Sequence, residues 1–224
     1  MAADNTFFTA DSIELAFGGR RILNGFALQG KAGEIIGLLG RNGSGKSTLL
    51  KVLFGSLRPG YQHIRINDVI IKKGYRKQHI AYLPQENFIP AYLDVRQIGR
   101  LYDRADFITA CADFAVPDDQ PLNSLSGGQQ RIVEILLIVH SAAQVILLDE
   151  PFSQLALVLV EKMGKYIRAQ ASQRQKCFVL TDHLYAQLIE VVDRLLLLHN
   201  GAAYAVKDND DLIRFGYLPS NFSG

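Results

Sequence analysis

The residues most able to do chemistry begin at Gly40-Arg41-Asn42-Gly43-Ser44-Gly45-Lys46-Ser47, which fits G-x-x-x-x-G-K-[ST]. The glycines allow backbone amides to turn inward around phosphate groups. A helix starting near Lys46 adds the positive end of its dipole. Lys46 would reach the β- and γ-phosphates of a nucleoside triphosphate, and the Ser47 hydroxyl would serve Mg²⁺. Asn42 and Thr48 belong to the same contact set. A second group closes the apolar run Val145-Ile146-Leu147-Leu148 with Asp149-Glu150. Carboxylates at the carboxyl end of a buried strand face the ligand crevice of an open α/β sheet. Asp149 would hold Mg²⁺ through water, and Glu150 is placed to act as general base for an attacking water. A third group is Leu125-Ser126-Gly127-Gly128-Gln129, whose serine and glycines open a helix and can form another anion nest.

These groups need rigid supports, and the hydrophobic pattern supplies them. Residues 11–39 read as an antiparallel start: Ile13–Phe17 alternates, Gly18-Gly19 turns into Ile22-Leu23, and Phe26-Ala27-Leu28 forms a further short strand. Ile35–Leu39 is continuously apolar, as a strand covered on both faces should be. More strand is expected at Ile64-Arg65-Ile66 and Ile80–Leu83. From 91 to 124 the spacing turns helical, with Tyr92, Val95, Ile98, Leu101 and Tyr102 on one stripe and Phe107, Ala110, Cys111 and Phe114 on another. Beyond Leu125 the chain alternates again: helix 128–140, strand 145–148, helix 157–171, strand 177–180, helix 184–190, and strand 194–199. An Asn200-Gly201 hairpin leads into 203–206. Residues 208–224 read as a short helix and a loose end.

Composition narrows the class. The 224 residues suit one domain with a small insert, and 48% hydrophobic with 21% charged residues excludes wholesale disorder. A net charge of +2 gives no electrostatic case for a dedicated nucleic-acid binder. Cys111 and Cys177 are expected to be reduced thiols. The first residues lack the basic and apolar regions of a secretory signal. The apolar runs fall short of the ~18 residues a membrane span needs, so any membrane role would be borrowed from a partner.

A phosphate loop, LSGGQ and VILLDE in this order resemble the ATP-binding cassette (ABC) ATPase family, and the resemblance runs from about residue 11 to 206. It implies an α/β P-loop NTPase core with an antiparallel β subdomain (11–84 and 125–206), a helical insert over about 86–124 and a tail at 207–224. It implies three further site residues. Phe17 matches the aromatic that stacks on adenine. Gln85, in Ala81-Tyr82-Leu83-Pro84-Gln85, matches the glutamine that senses the γ-phosphate and Mg²⁺. His183, in Val179-Leu180-Thr181-Asp182-His183, matches the histidine that fixes the γ-phosphate and the water.

The resemblance also implies ATP and Mg²⁺ as cofactors and a head-to-tail dimer. Each ATP would lie between one copy's phosphate loop and the other copy's Ser126, Gly127, Gly128 and Gln129. As a class it points to the separate ATPase subunit of a transporter, on the inner face of the plasma membrane through a transmembrane permease partner. A regulatory cassette without hydrolysis and a soluble non-transport cassette are the alternatives. The compact chain, Glu134 and the Thr181-Asp182-His183 triplet are most similar to lipopolysaccharide-exporter ATPase subunits, with branched-chain amino-acid importer subunits a near relative.

Three departures stand out. Ala156 occupies the place of the aspartate in the family's S-x-L-D, which bears on communication between the two sites. Ile135–Val139 carries no arginine where the family usually has one, so this helix face is expected to serve packing alone. The stretch from Gln85 to Ser126 is short for the family, so the insert is expected to be trimmed. Phe88, Ile89, Tyr92, Leu93 and Tyr102 are the expected docking residues for a partner.

Overall fold

The computed structural model describes residues 6–182 and 185–219. Strand β1 (Thr6–Phe17) turns at Gly18-Gly19 into β2 (Arg20–Lys31), and the two pair antiparallel from Phe17↔Arg20 to Thr6↔Lys31. Phe26-Ala27-Leu28, expected as a separate short strand, is the second half of β2. The pairing with β1 is re-registered rather than broken, so one long strand results. The chain then forms β3 (Ile35–Leu39), α1 (Lys46–Phe54), β4 (Tyr61–Ile66), β5 (Val69–Ile70) and β6 (Ile80–Leu83). Strands β4 and β5 complete a four-stranded sheet in the order β2-β1-β4-β5.

The second sheet has six strands. Its later members are β7 (Val145–Asp149), β8 (Cys177–Thr181), β9 (Arg194–His199) and β10 (Ala202–Val206), and its order is β10-β9-β3-β8-β7-β6. All its pairings are parallel except the β9–β10 hairpin. Because side chains alternate along a strand, each continuous apolar run feeds two cores. Ile36, Leu38, Val145, Leu147 and Val179 face α1 and the four-stranded sheet. Ile35, Leu39, Ile146, Leu148 and Leu180 face helices α4 (Gly127–Val139) and α5 (Leu157–Arg174).

The stretch expected as a helical insert forms two short helices, α2 (Val95–Leu101) and α3 (Ala105–Asp113). Asp94 and Gln97 form a capping box at the start of α2. The insert's neck is zipped by Leu122 N–H to Leu93 O and Asn123 N–H to Ala91 O, both 2.9 Å. The α3 stripe Phe107, Ala110, Cys111 and Phe114 is buried as expected. The α2 stripe is not: Val95 and Ile98 are buried, but Leu101 and Tyr102 are exposed and Tyr92 precedes the helix. Two turns are too few for a wide apolar face, and close approach at Gly99 sets α2 against Ile108 of α3. Helices α6 (Tyr185–Ile189) and α7 (Asn209–Arg214) complete the chain. Both cysteines are free and buried, and burial pushes each thiol up to about 12.

Gly37 sits mid-β3 between two parallel neighbours, where a Cβ would lie 2.6 Å from Leu195 Cδ2. Gly37→Ala is expected to lower stability in urea unfolding by about 1–3 kcal/mol through overpacking.

Candidate functional site

Four motifs hang from the carboxyl ends of four adjacent strands. The ladder places Leu38 beside Thr181, Thr181 beside Asp149, and Leu148 beside Leu83. The residues just past these positions are therefore neighbours: the phosphate loop after β3, Asp182 after β8, Glu150 after β7, and Pro84-Gln85 after β6.

The phosphate loop ends at Gly45, which caps α1 in a left-handed conformation (φ 104°) that favours glycine, with no side-chain cap. The first turn of α1 contains no acid, so its amides are open to an anion. Lys46 is buried and its Nζ donates to the Gly40 carbonyl at 2.7 Å. Burial lowers its pKa, while the charges of Glu150, Asp149 and Asp182 oppose that shift. A cavity of about 450 Å³ is lined by Phe17, Ile22, Asn42 to Thr48, Gln85 and Glu150. The structure thus gathers the expected aromatic, the loop, the glutamine and the second acid around one space. Gly40 opens the loop behind it.

Asp149 lies behind that cavity, 1% exposed. Its carboxylate accepts from the Thr181 hydroxyl at 2.7 Å and the Tyr82 hydroxyl at 3.0 Å. Burial, then the neighbouring Asp149 charge, pushes the Tyr82 phenol far above its usual value, which keeps it a donor. Glu150 is held at φ 46°, in the left-handed region. For a residue with a Cβ this costs of order 1–3 kcal/mol and needs external support. Its N–H donates to Thr181 O at 3.0 Å, and its carboxylate accepts from Gln85 Nε2 at 3.0 Å.

Ser126 caps α4: its hydroxyl accepts from Gln129 N–H, and the Gln129 side chain accepts from Ser126 N–H. None of Ser126, Gly127, Gly128 and Gln129 lines the cavity. His183 lies outside the described residues.

Sequence reading missed Arg131. The helix whose Ile135–Val139 stretch was expected to serve packing alone carries a fully buried guanidinium just over one turn after Ser126. Arg131 Nη1 donates to Pro84 O at 2.8 Å and to Glu134 Oε2 at 3.3 Å, and Nη2 donates to Asp149 O at 2.8 Å and Glu150 O at 3.3 Å. Burial lowers its pKa, against the pull of Glu134. Opposite charges at i,i+3 in an otherwise apolar helix were the available sign.

A family model described as ABC transporter matches residues 23–153, more than half of the chain. The chain belongs to this family of ATP-hydrolysing cassettes. It is similar to a probable ABC transporter ATP-binding protein of Azorhizobium caulinodans, 28% identical over 88% of this chain and 76% of the relative. It is also similar to the lipopolysaccharide export system ATP-binding protein LptB of Acidithiobacillus ferridurans, 26% identical over 95% of this chain and 97% of the relative. Among solved structures, an ATP-binding subunit of an ABC transporter superposes with a TM-score of 0.79 at 21% identity, covering 94% of each chain. A dimeric ATP-binding cassette bound to ADP and phosphate gives 0.78 at 20% identity, covering 89% of this chain and 98% of that one. These superpositions establish the shared α/β architecture.

Ala156 is the N-cap of α5, in extended conformation and with no side-chain cap. An aspartate here would accept from the open amides of the first turn. Ala156→Asp is therefore expected to stabilise the chain by roughly 0.5–2 kcal/mol, read as a raised urea midpoint.

Proposed function

We propose that this chain is the ATP-hydrolysing subunit of an ABC membrane transporter, working as a head-to-tail dimer that powers a separate transmembrane partner. The observation that carries this reading is the cavity that joins Phe17, the phosphate loop, Gln85 and Glu150 while residues 126–129 stay outside it. A signature motif remote from its own nucleotide site suits a second copy's ATP. The whole chain would act as one cassette, with the insert at about 86–124 and the tail at 207–224.

Adenine stacks on Phe17, and the triphosphate takes the loop amides that no side chain caps. Lys46 exchanges its Gly40 carbonyl for phosphate oxygens. Bound Mg²⁺ would neutralise charge on the phosphates. The donor set fits a hydrated ion shared with them: Ser47 and Gln85 border the cavity, and Asp149, its carboxylate already bonded to two hydroxyls, would act through water. Glu150 takes a proton from the attacking water as the γ-phosphoryl moves to it and ADP departs. Gln85 orients that carboxylate, and His183 would fix the water and the γ-phosphate. The partner copy's signature serine and second glycine, equivalent to Ser126 and Gly128, complete the site.

For the membrane partner, the structure offers a groove of about 440 Å³ between core and insert, bordered by Phe54, Tyr75, Tyr82, Phe88 and Tyr102. Tyr92, 73% exposed, stands free beside the insert, whereas Ile89 and Leu93 pack partly against the core. Docking then falls to Phe88, Tyr92 and Tyr102. Among the described residues no helix is long and apolar enough to cross a membrane, so attachment to the inner face of the plasma membrane would run through this groove.

ATP turnover per chain is expected to climb with protein concentration. Glu150→Gln should reduce it by roughly 10²–10⁴-fold with ATP binding retained. Binding without turnover, even with a membrane partner present, would favour a regulatory cassette. Phe88→Glu and Tyr92→Glu are expected to remain soluble and to lose co-purification with a polytopic membrane protein. Unchanged assembly would remove the groove from the docking role.

A further inference from the structure

We propose that Arg131 and Glu134 form a buried clasp by which α4 positions the pair Gln85 and Glu150. Arg131 is then a positioning residue, since it touches neither nucleotide nor reacting atoms. The inference rests on the ATPase reading for what the pair does, and on geometry alone for how the pair is held.

Arg131 spends its guanidinium on main-chain carbonyls at two catalytic turns. Pro84 O immediately precedes Gln85, and Asp149 O and Glu150 O flank the left-handed turn. Glu134, 2% exposed, holds the far end of the same loop by accepting from Phe88 N–H at 2.8 Å. Between these anchors, Asn87 donates to Gln130 on α4 at 3.1 Å. Residues 84, 87 and 88 are thus held by Arg131, Gln130 and Glu134 from about one turn of a single helix. A buried ion pair is poor packing material, because desolvation offsets most of its attraction, and an apolar pair would fill the space at less cost. What the fork supplies is direction: planar donors fix two separate backbone segments at once. The support that the φ 46° conformation of Glu150 requires comes partly from here. Because α4 begins at Ser126, any tilt of the signature end is transmitted to Gln85 and Glu150 within two turns. This route between sites does not use position 156.

The test compares the full-length chain with Arg131→Met, Arg131→Lys and Glu134→Leu, by amide hydrogen exchange and by steady-state hydrolysis. Arg131→Met is expected to speed exchange at residues 85–88 and 149–150 by ~10-fold or more, leaving the amides of α5 unchanged. It should lower kcat by a similar factor with the ATP dissociation constant unchanged, and Arg131→Lys should restore part of both. Exchange that stays unchanged at those residues, or rises evenly throughout the chain, overturns the clasp. So does unaltered kcat alongside faster exchange. If Arg131→Met fails to fold, Glu134→Leu carries the test through exchange at Phe88. An unmutated chain that binds ATP without hydrolysing it counts against the ATPase reading, and the exchange arm still decides the clasp.

Discussion

The hydrogen-bond ladder joining β3, β8, β7 and β6 is the constraint on which the rest depends. Parallel pairing brings four strand ends to one edge, and each end carries a different piece of chemistry. Thr181 shows how tight this is. It pairs in register with Leu38 on one side and Asp149 on the other, its hydroxyl holds the Asp149 carboxylate, and its carbonyl holds Glu150 N–H. A slip of one residue in any of these strands would turn its apolar set to the opposite core and withdraw its motif from the edge. Core packing and site geometry are therefore selected by the same register.

Charge at this edge is handled by burial with pairing. Lys46 loses solvation but lies within the field of Glu150, Asp149 and Asp182. Asp149 is more buried, and its carboxylate is bonded to two neutral hydroxyls. Arg131 is as fully buried, and its acceptors are largely carbonyls rather than acids. Lys46 borders the cavity, whereas Asp149 and Arg131 do not.

Much of this was legible in the sequence because its evidence is local. The glycine spacing of 40–47, the apolar run ending in Asp149-Glu150 and the Ser-Gly-Gly helix start are short-range patterns, and the structure places each on the element expected. Phe17 and Gln85 needed the family's order of motifs, since neither an aromatic in a strand nor a glutamine after one marks a site by itself. Arg131 was hard to read as a site element because, apart from Glu134 one turn on, its partners are backbone carbonyls far along the chain, and carbonyls leave no residue-type signature. The α2 stripe misled for a related reason: helical spacing reports which side chains align, not whether a neighbour exists to cover them, and the end of α2 has none for Leu101 or Tyr102. The uninterrupted β2 was hidden because register shifts in its partner break the alternation without breaking the strand.

The closed neck of the insert has a consequence for the history of such chains. Residues 91–93 and 121–123 lie side by side and bond through their backbones, so the chain leaves and re-enters the core at almost one point. The core thus sees only a fixed end-to-end separation, and the entropy of closing a loop rises only slowly with its length. Such a junction works as a splice point: helical cartridges of different size can be exchanged there while the catalytic edge is left in register.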